Sequence, residues 1–225
     1  MSFHLFFING WGFESNFWKP TCDLLNLKDI VGSTEILDKN FLKKKAPKKI
    51  PINTIFITHS MGLNFFLEMK VDCLALINFF SAPNFLGFQK DFEKSQKSFD
   101  LMLNKFEEDP DKVLRKFFYN CGLHDNYFPQ KKIDHKKLKD QLIKLKNDDL
   151  VNKFKSLNFK VLSFLSENDK IFRPSLEKFN SLVSKKHTIK LIPEANHAYP
   201  LNQPKLTAKL IYDFIQSLHE NKTKN

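Results

Sequence analysis

Short, wholly apolar strands alternate with helices along this chain. That pattern predicts an α/β architecture, a mostly parallel sheet covered by helices on both faces. Three observations carry the reading. First, Phe3–Ile8, Thr54–Thr58, Leu74–Phe80 and Lys160–Leu165 are dominated by apolar, β-branched or aromatic residues and lack the alternation of a half-exposed strand. Second, each run stops at turn residues: Asn9-Gly10-Trp11-Gly12, His59-Ser60-Met61-Gly62, Ser81-Ala82-Pro83 and Ser166-Glu167-Asn168-Asp169. Third, the rhythm breaks between Pro83 and about Phe154, where apolar residues recur at helical spacing and no strand is found.

In order, Phe3–Ile8 reads as a buried strand and the segment from Phe17 to Leu27 as a short helix. Ser33–Leu37 is a weaker strand, and the lysine-rich Phe41–Ile50 an exposed connection. Thr54–Thr58 is a strand, Leu63–Met69 a helix and Leu74–Phe80 a strand. In the helical block, Phe88, Phe92, Phe99, Met102, Leu103 and Phe106 form one stripe, and Val113, Leu114, Phe117 and Phe118 another. Asp109-Pro110-Asp111 starts the second helix, with Pro in its first turn, and His135–Leu145 is a third. Lys160–Leu165 is a strand, Pro174–Val183 a helix, Thr188–Ile192 a strand and Gln203–Leu218 an amphipathic closing helix. The domain organisation follows: residues 1–83 form the first part of the core, 84–155 a helical lid insertion and 156–225 the second part of the core.

The 225 residues are enough for one domain with an insertion. No apolar stretch approaches the ~20 residues of a membrane span. The N-terminus carries no basic leader, so a cytoplasmic protein is expected. The net charge is +11, but of 36 basic residues only Arg115 and Arg173 are arginine, beside 25 phenylalanines. Lys, Phe and Asn enriched together look like AT-rich codon bias rather than a nucleic-acid surface, and no zinc-finger or RNP-type pattern occurs. Cys22, Cys73 and Cys121 are odd in number and far apart, which argues against disulfides and structural zinc. No metal and no cofactor is expected, and a monomer is.

Three polar residues fall just past strand ends, where open α/β sheets bind ligands: Ser60, Asp169 and His197. Ser60 lies between strand and helix in Thr58-His59-Ser60-Met61-Gly62, a G-x-S-x-G nucleophile elbow with Thr in place of the first Gly. It could equally be an ordinary helix N-cap. His197 is the only histidine at the right edge of the sheet; His59 neighbours the serine and could line the pocket. Asp169 could hold the imidazole in its useful tautomer, or simply build a turn; Glu167 is the alternative. Backbone amides of Met61 and Trp11 are the candidate oxyanion donors. The Gly-rich turn at Asn9–Gly12 has neither G-x-G-x-x-G nor a P-loop Lys, so phosphate binding there is not expected.

With these motifs the chain resembles the α/β-hydrolase superfamily, and within it the pimeloyl-[acyl-carrier-protein] methyl ester esterases of biotin synthesis. The matching stretches are Asn9–Gly12 with Phe17-Trp18, His59–Gly62, Asn78-Phe79-Phe80-Ser81-Ala82-Pro83-Asn84-Phe85, Asp169 in its loop and His197-Ala198. Asn9 replaces a usual His. The resemblance implies an α/β-hydrolase fold with an inserted helical lid. It implies Ser60 as nucleophile, His197 as base, Asp169 as its orienter, and the Trp11 and Met61 amides as the oxyanion hole. It further implies an acidic acyl-carrier protein met by Lys112, Arg115 and Lys116 of the lid. Trp11, His59, Phe80 and Phe117 are then expected at the substrate, and Phe79, Phe85 and Phe88 are further candidates for an apolar acyl tunnel or plain core. The alternatives are a general carboxylesterase, an acyl thioesterase, and a non-catalytic binding protein of the same fold.

Overall fold

The computed structural model describes residues 2–37, 50–124, 127–130 and 132–223, with side chains as far as residue 220. Most of the lysine-rich connection at 41–50 lies outside the described residues. Six strands form a single sheet: β1 (Phe3–Ile8), β2 (Val31–Leu37), β3 (Thr54–His59), β4 (Ala75–Phe79), β5 (Lys160–Leu165) and β6 (His187–Leu191). Every pairing is parallel, in the order β2-β1-β3-β4-β5-β6. The order reverses between β1 and β3, so the turns after these two strands open a crevice at the carboxyl edge.

Burial follows sequence along the sheet. Central β3 and β4 are buried at every residue, as their unbroken apolar runs require, whereas edge strands β2 and β6 carry exposed positions. Helix α1 (Lys19–Leu25) packs against α9 (Pro204–Thr223), and α2 (Gly62–Met69) lies on β1 and β3. Between β4 and β5 run α3 (Phe92–Glu108), α4 (Pro110–Asn120), α5 (His135–Asn147) and α6 (Val151–Lys155). Aspartates begin the three long ones: Asp91, Asp109 and Asp134 accept from the amides of Lys94, Lys112 and Lys137 at 2.9–3.0 Å. Helices α7 (Leu176–Asn180) and α8 (Tyr199–Asn202) are short.

Two sequence expectations need correction. The helix expected over Pro174–Val183 is only α7, because Pro174 is drawn into a bridge with Gln89 and the helix starts at the capping Ser175. His187, expected before its strand, is the first residue of β6 and is buried. Its Nδ1 donates to the Leu182 carbonyl at 2.8 Å and its Nε2 meets the Ser163 hydroxyl at 3.0 Å.

At Gly62 two stretches of backbone approach closely. A Cβ there would lie 2.5 Å from the Ile8 carbonyl oxygen, at the end of β1. Gly62→Ala is therefore expected to destabilise the protein by about 1–3 kcal/mol in urea unfolding, since neither backbone can yield without moving the other.

Burial holds His187 and the likewise buried His59 below the ordinary histidine pKa. Both are neutral in the folded protein and gain protons on unfolding. Stability is thus complete above about pH 6.5 and declines as pH falls below it. Chemical denaturation at pH 7 and pH 5.5 should show this loss, and His187→Gln should reduce it.

Candidate active site

Ser60 follows β3 directly and has a left-handed backbone, φ 53°. A non-glycine residue is held there only when its surroundings fix it. Its amide donates to the Phe79 carbonyl at 2.9 Å, and its carbonyl accepts from the Leu63 amide at 3.1 Å. The turn therefore switches ladder to helix within one residue. Because Ser60's own N–H is spent on the sheet, the next amide, that of Met61, stands at the head of α2 where a helix has no acceptor for it.

The Asn9–Gly12 turn comes within contact of this elbow. A Cβ on Gly10 would fall 2.8 Å from the Ser60 Cβ. Trp11 is buried, packs edge-on against Phe117 of α4 at 4.9 Å, and donates from Nε1 to the Leu138 carbonyl of α5 at 2.9 Å. Gly12 has φ 74° and faces Leu114 and Phe118 of α4. The turn carrying the Trp11 amide is clamped beneath the inserted helices.

Asp169 and His197 are both fully buried. Asp169 satisfies the turn and the imidazole with different oxygens. Oδ1 accepts from the Ile171 and Phe172 amides at 2.7 and 3.0 Å, while Oδ2 meets His197 Nδ1 at 2.6 Å. With the proton on Nδ1 facing a carboxylate, a neutral ring presents a bare lone pair at Nε2. That atom is buried and has no hydrogen-bond partner among the described residues. Glu167 is exposed and takes no part in this pairing.

The cysteines do not compete as nucleophiles. Burial pushes the Cys22 and Cys73 thiols up to about 12, and burial together with the Asp169 charge pushes Cys121 well above its ordinary value. Among the described residues no group of three or more His, Cys, Asp or Glu side chains is placed to hold a metal ion, and no helix is long and apolar enough to cross a membrane.

Ser60 opens on a cleft of about 1380 Å3 between the core and α3, α4 and α5. Trp11 and Phe117 line it, as do Lys112, Arg115 and Lys116. Arg115 lies over the Phe128 ring at 4.4 Å and Lys116 over Tyr119 at 4.9 Å. Phe85 also lines the cleft, with Leu86, Phe99, Met102 and Leu145 beside it. His59 and Phe80, expected at the substrate, do not line it; both are fully buried, as is Phe79, and Phe88 likewise belongs to the core. Parallel-strand geometry explains His59: it is the last residue of β3, and its side chain and that of Ser60 go to different sides of the elbow.

Asn78 was not legible as part of the site, although an amide in the middle of Leu76-Ile77-Asn78-Phe79 is a visible anomaly. Thr58 donates to its Oδ1 at 3.0 Å, and its Nδ2 donates to the Ser81 carbonyl, also at 3.0 Å. The hydroxyl that makes Thr58 bulkier than glycine thus has a buried partner on β4. Gln89 was missed too: it ties the segment before α3 to the Asp169 loop by donating to the Ile171 carbonyl and accepting from the Arg173 amide, at 3.1 and 3.0 Å.

No family model matches the sequence. An esterase from Exiguobacterium antarcticum superposes with a TM-score of 0.76 at 13% identity, over 96% of this chain and 92% of that one. A bromoperoxidase from Bacillus anthracis gives 0.74, with the same identity and coverage. The chain has the α/β-hydrolase fold. In sequence it is similar to a pimeloyl-[acyl-carrier protein] methyl ester esterase of Wigglesworthia glossinidia brevipalpis, 28% identical over 97% of this chain and 95% of that protein. Within the α/β-hydrolase fold its departures are local. Asn9, where a histidine was usual, is buried and donates from Nδ2 to the Phe13 carbonyl, closing its own turn.

Thr58→Val should lower stability by about 1–3 kcal/mol in urea unfolding, because it strands the buried Asn78 oxygen.

Proposed function

We propose that this protein is a serine carboxylic-ester hydrolase that works through an acyl-enzyme. The observation that carries the reading is one arrangement. A serine held at φ 53° opens on a large, mostly apolar cleft, and a fully buried His197–Asp169 pair, 2.6 Å apart, belongs to the loops after β5 and β6, at the same edge of the sheet.

In this reading His197 Nε2 takes the Ser60 hydroxyl proton as Oγ attacks the ester carbonyl. The amides of Met61 and Trp11 receive the developing oxyanion, having been aimed in advance by the helix start and the clamped turn. Collapse breaks the acyl–alkoxy bond, and the alcohol leaves with the proton from His197. Water then attacks the acyl-serine, His197 takes its proton, and the acid departs as Ser60 is protonated again. Asp169 keeps the proton of His197 on Nδ1 and stabilises the imidazolium.

The substrate class we favour is the methyl ester of pimeloyl-acyl-carrier protein, and methanol is then the leaving alcohol. The sequence likeness to a protein of that name supports it. So does cleft size: about 1380 Å3 exceeds the ~300–1,000 Å3 of ordinary small-molecule pockets and suits a long acyl chain delivered on a carrier. Phe85, Phe99 and Phe117 would face the chain. Exposed Lys112, Arg115 and Lys116 would meet the acidic carrier at the mouth.

Methanol release from pimeloyl-carrier protein methyl ester tests the reading. The wild type should release it, and Ser60→Ala should not. Asp169→Asn should fall by on the order of 10³–10⁴-fold in kcat. An enzyme that cleaves a nitrophenyl acyl ester through Ser60 but leaves the carrier-bound ester intact would be a general carboxylesterase instead.

Reversing the charges of Lys112, Arg115 and Lys116 to Glu should reduce kcat/KM for the carrier-bound ester roughly tenfold or more at low salt. The same variant should treat a small nitrophenyl ester like the wild type. Equal losses on both substrates would show that these side chains do not read the carrier.

A further inference from the structure

His59 precedes Ser60, yet its ring is sealed in a box of other rings. Phe17 stacks on it at 4.5 Å, His197 lies at 4.7 Å and Phe13 at 5.5 Å, with Trp18 and Phe80 closing the sides at 6.4 Å. An imidazole in such a place gives up the hydration of two nitrogens, which a phenyl ring would not. Apolar packing alone does not explain it.

One contact does. His59 Nε2 donates to the backbone carbonyl of His197 at 2.8 Å. A carbonyl only accepts, so the proton is on Nε2 and the neutral ring leaves Nδ1 bare. Nδ1 is buried without a hydrogen-bond partner among the described residues, and a Cβ on Gly10 would stand 2.9 Å from it. Burial and the neighbouring His197 keep His59 neutral, so it does not compete for the Ser60 proton. The same ring thus touches the strand end carrying Ser60, the turn carrying the Trp11 amide, and the main chain of His197. Among the described residues no backbone amide bonds the His197 carbonyl.

We infer that His59 is a positioning residue: its Nε2–H fixes the His197 main chain, and so the aim of the His197 ring, against the Ser60 elbow. The inference rests on Ser60, Asp169 and His197 forming the triad proposed above.

The test compares His59→Phe, which keeps a ring and removes the donor, with His59→Gln, whose amide can reach the same carbonyl. Nitrophenyl acyl ester kinetics, thermal midpoints and the far-downfield proton resonance of the His197–Asp169 bond are measured for each. His59→Phe should lose about 10²-fold in kcat with KM little changed, the scale expected when a catalytic group is misplaced by about 1 Å. Its downfield resonance should shift or broaden, and His59→Gln should restore both readouts. Wild-type kcat in His59→Phe would overturn the inference. So would a His59→Gln variant as slow as His59→Phe, since the ring's packing rather than its donor would then matter. Should His59→Phe fail to fold, His59→Gln decides: a retained resonance and kcat support the donor role, and their loss at an unchanged thermal midpoint overturns it. Turnover that survives Ser60→Ala would overturn the triad reading itself, a result separable from each of these.

Discussion

The site depends on one backbone hydrogen bond, from the Ser60 amide to the Phe79 carbonyl. It extends the β3–β4 ladder one residue beyond the strand and holds Ser60 in register with the sheet while the chain turns left-handed. Three consequences follow from that placement. Met61's amide becomes the first free donor of α2. Gly62 is forced against the Ile8 carbonyl, where a side chain has no room. The end of β1 is thereby brought beside the elbow, so that Gly10 meets Ser60. An alternative in which Ser60 merely caps a helix would put its side chain on an amide of the first turn. Among the described residues no hydrogen bond joins the Ser60 hydroxyl to an amide of α2.

The helices between β4 and β5 are joined to the loops of the proposed site rather than resting on them. The Cys121 carbonyl, at the end of α4, accepts from the Ala198 amide next to His197, at 3.0 Å. Asn202 donates to the Gly122 carbonyl at the same distance. At the other end, Lys90 donates from its amide to the Arg173 carbonyl and Ser175 to that of Phe88, both at 2.8 Å, beside the Gln89 bonds. The Trp11 bond to Leu138 fastens the Asn9–Gly12 turn to α5. Each loop of the proposed site is therefore fixed both by the sheet and by the helices that roof the cleft. Displacing those helices would disturb Trp11, Asp169 and His197 together.

Much of this was legible from residue pattern because the signals were local. Apolar runs without alternation located β1, β3, β4 and β5, and Asp109-Pro110 marked the start of α4 almost to the residue. Ser60, Asp169 and His197 stood out because each follows a strand, and parallel topology alone puts all such positions on one edge. What escaped depended on pairings between distant segments. Thr58 looked oversized until Asn78 on the next strand supplied its partner. Gln89 carries no motif and matters only because residues 171–173 lie across from it. For His59, adjacency to Ser60 suggests the pocket, whereas the turn at Ser60 sends the preceding side chain into the core.

Part of the lysine excess, read from composition as codon bias, is paired between helices. Lys139 and Lys146 of α5 pair with Glu107 and Asp100 of α3, and Lys144 bridges Asp148 and Glu68 of α2, at 2.6–2.9 Å. Partly exposed pairs of this kind add little each, but they tie three helices in register. Around the cleft the pattern differs. Lys90, Lys94, Lys105, Lys112, Lys170 and Arg173 line it, and none is paired with a carboxylate among the described residues. Cations around a mainly apolar cavity raise the local concentration of anions, although Asp91, Glu108 and Asp109 line it as well. In the function proposed above, the apolar interior would take the chain and the basic rim would meet the carrier that delivers it.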